Sequence, residues 1–242
     1  NRATNNSLAS LYSGGTTSTL PIPGLNSIAR GINDSGQVVG DNVRAFLFSG
    51  GTTTDLGTLP GGNNSSATAI NNAGQVVGYS GSNNGNRAFL YSNGTMTDLG
   101  IIPGSIYSSA NGINNSGQVV GVADNVNASR AFLHSGGQIN DLNNLIRNNP
   151  GWILQQANGI NDSGQIAGTG TIANQSRAFR ADPIVTPTGG ITGGNISTAG
   201  GPAIVKAPVI TLTGSALDSN GGEVGVGGPV VLNDNVRLDS GG

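Results

Sequence analysis

Apolar residues along this chain come in short bursts, each closed by glycine, asparagine or serine, and within the bursts apolar and polar positions alternate. That period of two is the mark of β-strands with one face turned inward. The stretch from residue 108 to 142 shows the pattern clearly. Ser108-Ser-Ala-Asn-Gly-Ile113 reads as a first strand, and Asn114-Asn-Ser-Gly117 as a tight turn, because Asn and Gly tolerate positive φ. Gln118-Val-Val-Gly-Val122 returns as a second strand. Arg130-Ala-Phe-Leu-His134 is a third, with Ala131 and Leu133 on one face and Phe132 on the other. Ser135-Gly-Gly137 then turns the chain into a fourth, Gln138-Ile-Asn-Asp-Leu142.

The same unit recurs. Gly31-Ile-Asn-Asp-Ser-Gly-Gln-Val-Val-Gly40 aligns with segments that begin at Ala69, Gly112 and Gly159. Downstream of each lies Arg-Ala-Phe, at Arg44, Arg87, Arg130 and Arg177, spaced by 43, 43 and 47 residues. Asp-Leu recurs at Asp55, Asp98 and Asp141, spaced by 43 and 43. Four short strands in about 43 residues is the size of a propeller blade. The fold expected is therefore all-β, a β-propeller-like array of four-stranded repeats, with a stacked β-solenoid as the alternative. The stretch Ser7–Leu20 matches Arg44–Leu56, so the array opens on a third and fourth strand and ends on a first, second and third. Closure of the N-terminal fourth strand against the last three would make four blades with one strand left over. An open-ended array is the other possibility, and so is an excised piece of something longer.

Composition narrows the function classes. Charged residues are only 9% of the chain, aromatics 4%, and glycine numbers 42, so any core is thin and built from Val, Ile, Leu and Ala. Lys206 is the only lysine and the net charge is −2, which argues against a nucleic-acid footprint and against electrostatic binding to anionic membranes. The absence of cysteine rules out disulfides and thiolate chemistry. No apolar run approaches the roughly 18 residues that span a bilayer, so no membrane insertion is expected.

The repeated pattern Gly-Ile-Asn-x-x-Gly-Gln-Val-Val-Gly, Arg-Ala-Phe-Leu, Ser-Gly-Gly-x-x-x-Asp-Leu-Gly resembles the bacterial HAF repeats, with arginine where the family's name has histidine. The resemblance covers about residues 1–182 and implies an extracellular or cell-surface location, without a settled activity to carry over. Beyond Asp182 the texture changes to Pro183, Pro187, Gly189-Gly190 and Gly200-Gly-Pro202, a linker-like stretch. Pro208–Gly222 and Gly228–Gly242 resemble coils of filamentous-haemagglutinin-type repeats, which implies a β-helix. Two regions follow: residues 1–182, a β-repeat domain, and residues 183–242, a Gly-rich extended β tail suited to strand exchange or to a β-helix.

No residue set reads as a catalytic, cofactor or metal site. His134 is the only histidine and takes the strand position held by Phe48 and Tyr91, which reads as packing. Glu223 is the only glutamate, so a paired-carboxylate site would have to be built from aspartates. The loops Asn33-Asp-Ser-Gly36 and Asn161-Asp-Ser-Gly164 carry oxygen ligands that suit calcium, but Asn71-Asn-Ala-Gly74 lacks both acid and hydroxyl, so they read as self-satisfied turns. The arginine series is open to two readings: a ring of guanidinium groups for an acidic ligand, or structural pairs with Asp55, Asp98 and Asp141. Trp152, the lone tryptophan, is either a sugar-stacking platform or a plug at the edge of the last repeat. The function expected is that of a non-catalytic, extracellular structural or adhesive protein, with a carbohydrate-binding module as the alternative. Its expected partners are copies of itself, other matrix components, or glycans.

Overall fold

A computed structural model describes residues 9–22, 26–126, 128–146 and 151–182, together with the strand backbones of a second unit between residues 196 and 239. The chain divides into two compact units, Asn1–Pro183 and Ile184–Gly242. It is all-β, and among the described residues the only helical turn is a 3₁₀ turn at Leu142–Asn144.

The first unit begins with a hairpin, β1 (Ser10–Ser13) and β2 (Thr16–Thr19). Three four-stranded antiparallel meanders follow. They are β3 (Ile28–Ile32), β4 (Val38–Asp41), β5 (Ala45–Ser49) and β6 (Thr52–Gly57); then β7 (Ser65–Ile70), β8 (Val76–Ser80), β9 (Arg87–Ser92) and β10 (Thr95–Asp98); then β11 (Tyr107–Ile113), β12 (Val119–Asp124), β13 (Ser129–Ser135) and β14 (Gln138–Asp141). The last sheet has three strands, β15 (Ile153–Ile160), β16 (Ile166–Ile172) and β17 (Gln175–Ala181). The β1–β2 hairpin is a sheet of its own: among the described residues no strand pairing joins it to β15–β17. The turn between third and fourth strands is the same each time. Gly14–Gly15, Gly50–Gly51, Asn93–Gly94 and Gly136–Gly137 all have positive φ, as a two-residue hairpin turn requires.

Adjacent sheets pack in chain order, and the Val-Val pair of each second strand divides between the two interfaces. Val39, Ala45 and Leu56 of one sheet meet Ala67, Ile70, Val76 and Phe89 of the next. Val77, Ala88 and Leu99 meet Ala110, Ile113, Val119 and Phe132. Val120, Ala131 and Leu142 meet Leu154, Ala157 and Ile166, with Phe179 packed alongside. At the N-terminal end Ala9, Leu20 and Ile22 cover Val38 and Phe46. Each phenylalanine of the Arg-Ala-Phe motif thus points back toward the preceding unit while its alanine points forward, the two-faced third strand expected from the sequence.

Each first strand carries an extra residue, with the register shifting at Ala29/Gly31, Ala67/Ala69, Ala110/Gly112 and Ala157/Gly159. Opposite the bulge sits the glycine that ends Gln-Val-Val-Gly. A Cβ at Gly121 would lie 2.1 Å from the Ser109 carbonyl oxygen and 2.8 Å from the Phe132 ring. Only glycine fits a position pressed on both sides, which is the physical meaning of that motif.

The second unit pairs its strands in parallel. β18 (Ile196–Ser197), β21 (Ala216–Asp218) and β24 (Arg237–Asp239) form one sheet; β19 (Ala203–Lys206) pairs with β22 (Val224–Gly227), and β20 (Ile210–Leu212) with β23 (Val230–Leu232). Partners such as Ile196 and Leu217, Ala203 and Val224, or Ile210 and Val230 stand 20 or 21 residues apart.

Candidate functional site

The residues with the most chemical capacity are the asparagines of the turns between first and second strands. In each turn one carboxamide satisfies its own backbone. Asn114 Oδ1 accepts from the amides of Ser116 (3.1 Å) and Gln118 (2.9 Å), and its Nδ2 donates to Gln118 Oε1 at 2.8 Å. Asn33, Asn71 and Asn161 repeat the bond from Nδ2 to the glutamine four residues on. The turn reading made from sequence therefore has a concrete form.

The same side chains also reach the next repeat. Asn33 Nδ2 donates to the Asn71 carbonyl, Asn71 Nδ2 to that of Asn114, and Asn114 Nδ2 to that of Asn161, each at 3.0 Å. Beside this inner row runs an exposed one. The Asp34 amide donates to Asn72 Oδ1, the Asn72 amide to Asn115 Oδ1, and the Asn115 amide to Asp162 Oδ1. Asn72 and Asn115 close the ends by donating Nδ2 to the carboxylates of Asp34 and Asp162. The Asn115 donors hold the Asp162 carboxyl below its ordinary range, since bonds to the charged form favour it.

Serines at the start of the first strands form a third set of ties. Ser65 Oγ donates to the Gly57 carbonyl and accepts from the Ala45 amide at 2.9 Å; Ser108 does the same with Gly100 and Ala88. Before the last sheet Asn143 takes over this task, accepting from the Leu154 amide at 2.7 Å and donating to the Leu154 carbonyl at 3.0 Å.

The arginines divide. Arg44 pairs with Asp55 at 3.2 Å and Arg130 with Asp141 at 3.4 Å, across the third and fourth strands. Arg87 does not reach Asp98. Its Nη1 donates instead to the carbonyls of Asn86 (3.1 Å) and Ile106 (2.7 Å), tying the sheet to the loop that follows it. Among the described residues Arg177 has no fourth strand beside it, and it bonds Ser176 and Gln175 of its own strand. The aspartates also act locally: Asp55, Asp98 and Asp141 accept from the amides of Gly57, Gly100 and Asn143. Reading by repeat missed a pair that occurs in one unit only, Arg30 with Asp41, in which Asp41 also accepts from Ser66 of the next sheet.

His134 is half-buried on the face of β13 that carries Phe132, with its Nδ1 out of water and without a partner; burial lowers its pKa. Trp152 is half-buried against the cluster of Leu142, Leu154 and Ile166, a packing position at the edge of the last sheet. Glu223 lies outside the described residues. Among the described residues no grouping of three or more acids or histidines could hold a metal ion, and no helix is long and apolar enough to cross a membrane.

The last sheet departs from its sisters on its outer side. Positions held by Val39, Val77 and Val120 are taken by Ala167, and those of Leu47, Leu90 and Leu133 by Arg180. Ala167, Ala178 and Arg180 are exposed, and Arg180 bonds Asp182 at 3.1 Å. Along the edge of this sheet, β17 has no fourth strand among the described residues.

The protein is all-β, and the antiparallel sheets of its first unit are bonded to one another through asparagine, serine and arginine. No protein-family model matches the chain, and no curated protein matches it.

Proposed function

We propose that this is a non-catalytic structural or adhesive protein of the bacterial cell exterior. In this reading residues 1–182 form a HAF-type array whose sheets are propeller-like blades. The tail is β-helix-like, and copies join into a fibre by exchanging strands. One observation supports the reading above the others: the repeated asparagines and arginines are engaged in bonds within and between the sheets. Asn33, Asn71 and Asn114 each use a donor on the next turn, and Arg44, Arg87 and Arg130 bond within or between sheets. An array built this way supplies a long, hydrogen-bonded scaffold rather than a reaction centre. The test is negative-stain microscopy and light scattering of the full chain at high concentration, beside a chain ending at residue 182. Filaments from the full chain and monomers from the shortened one are expected. A full chain that stays monomeric overturns the fibre.

A further inference from the structure

We propose that β17 is an acceptor edge, which takes one more antiparallel strand from a partner: an extended segment of the fourth-strand pattern, with an aspartate opposite Phe179. This deepens the assembly reading above and rests on it.

Three sister sheets set the precedent. In each, the third strand carries Arg-Ala-Phe and pairs with a fourth whose aspartate stands opposite that phenylalanine: Phe46 with Asp55, Phe89 with Asp98, Phe132 with Asp141. β17 repeats the third strand at Arg177-Ala-Phe179 and pairs with β16 through all seven residues from Gln175 to Ala181, so it is fully formed on its inner side. Its outer side has no strand among the described residues. The chain provides no fourth strand of its own by the usual route. Where the sisters have Ser-Gly-Gly or Ser-Asn-Gly to turn back, this repeat has Asp182-Pro183.

The charge also fits. In two sister sheets the motif's arginine pairs with the fourth-strand aspartate, at 3.2 and 3.4 Å. Arg177 holds the same position, and its guanidinium bonds only back along its own strand, to Ser176 and Gln175. An acidic strand laid on this edge would give Arg177 the partner that Arg44 and Arg130 have. Addition on the broad outer face is a different matter. Ala167 and Arg180 stand there in place of valine and leucine, so a further stacked sheet would gain little apolar burial and would desolvate a guanidinium. Growth past the last sheet is disfavoured on the face and open at the edge. Main-chain bonds along the edge supply affinity, and the Arg177–aspartate pair sets register.

The experiment uses the full chain and a labelled synthetic peptide with the chain's own fourth-strand sequence, residues 135–144. Saturable binding is expected, with new hydrogen-exchange protection confined to Gln175–Ala181. Arg177→Gln, an exposed change that leaves the fold intact, should weaken binding roughly two- to fivefold, as expected for an exposed ion pair. A peptide with asparagine for aspartate should lose the same factor, and the two losses should not multiply. No binding at millimolar peptide overturns the proposal. So does protection elsewhere, a pair of losses that multiply, or prior protection in the free chain of the outward-facing β17 amides, those that do not bond β16, which would mean that the edge is already filled. Filament formation is read separately: peptide binding by a chain that forms no fibres retains the edge and rejects the fibre.

Discussion

The three interior sheets and the last sheet share one backbone plan and differ in what they show to the side away from the N-terminus. In the interior sheets Val39, Val77 and Val120 and their companion leucines bury that side against a following sheet. In the last sheet Ala167 and Arg180 leave it wet. The side facing backward is conserved in kind: Val38, Val76, Val119 and Ile166 all pack, as do the four motif phenylalanines. One sheet can therefore be a follower without being a leader, and Ala167 and Arg180 mark the difference on that face.

The largest test of that comparison is at the phenylalanines. Phe132 is fully buried between two sheets, whereas Phe179 is partly exposed. Phe132→Ala should cost about 3–5 kcal/mol by urea denaturation, and Phe179→Ala clearly less. Equal costs would show that the last sheet is as well packed as the others. The asparagines come next. Asn114→Ala strips a buried turn of four hydrogen bonds, one of them to the following repeat, and should cost about 1–3 kcal/mol. Asn161→Ala, at an exposed turn with no follower, should cost under about 1 kcal/mol.

A chain carrying Ala167→Val and Arg180→Leu together sharpens the comparison from the other direction. Stability should change by less than about 0.5 kcal/mol, because both positions are exposed. Self-association through the newly apolar face should rise, read by sedimentation velocity. Unchanged sedimentation would remove the capping role from these two residues.

The smallest effect is one of pH. His134 is held neutral by burial, so its folded pKa lies below its unfolded one. The unfolded chain then takes up the proton first. Stability from this site is full above about pH 6.5 and declines as the pH falls below it toward the folded pKa. His134→Tyr, which restores the Tyr91 pattern, should flatten the urea midpoint between pH 8 and pH 5.5. The Asp162 and Asp182 carboxyls, both lowered by donors, act in a separate and more acidic window, below the ordinary carboxylate range.

Much of this was legible in the amino-acid order, and for physical reasons. Period-two alternation placed Ala131 and Leu133 on one face and Phe132 on the other, and the hairpin turns announced themselves through paired glycines. The bulge in each first strand was not legible from periodicity, since an extra residue breaks the very alternation used to find strands; only the invariant glycine opposite hints at it. The fourth strand of the third sheet stops at Asp141, not at Leu142, because that aspartate accepts the Asn143 amide and opens a 3₁₀ turn. Equal spacing suggested that Arg87 would pair with Asp98, but the long loop after β10 brings the Ile106 carbonyl within reach, and a carbonyl serves a guanidinium as well. The parallel pairing within the second unit joins partners 20 or 21 residues apart, which matches the 20-residue offset between the coil-like segments that begin at Pro208 and Gly228.

The direction of the asparagine bonds has a kinetic meaning. Each donor points to the repeat that is made later: Asn33 to Asn71, Asn71 to Asn114, Asn114 to Asn161. A repeat leaving the ribosome can form the bonds within its own turn, but its last bond waits for its successor. Wherever folding begins in such an array, each of these turns stays one bond short until the repeat after it has formed, and Asn161, in an exposed turn, closes the described row.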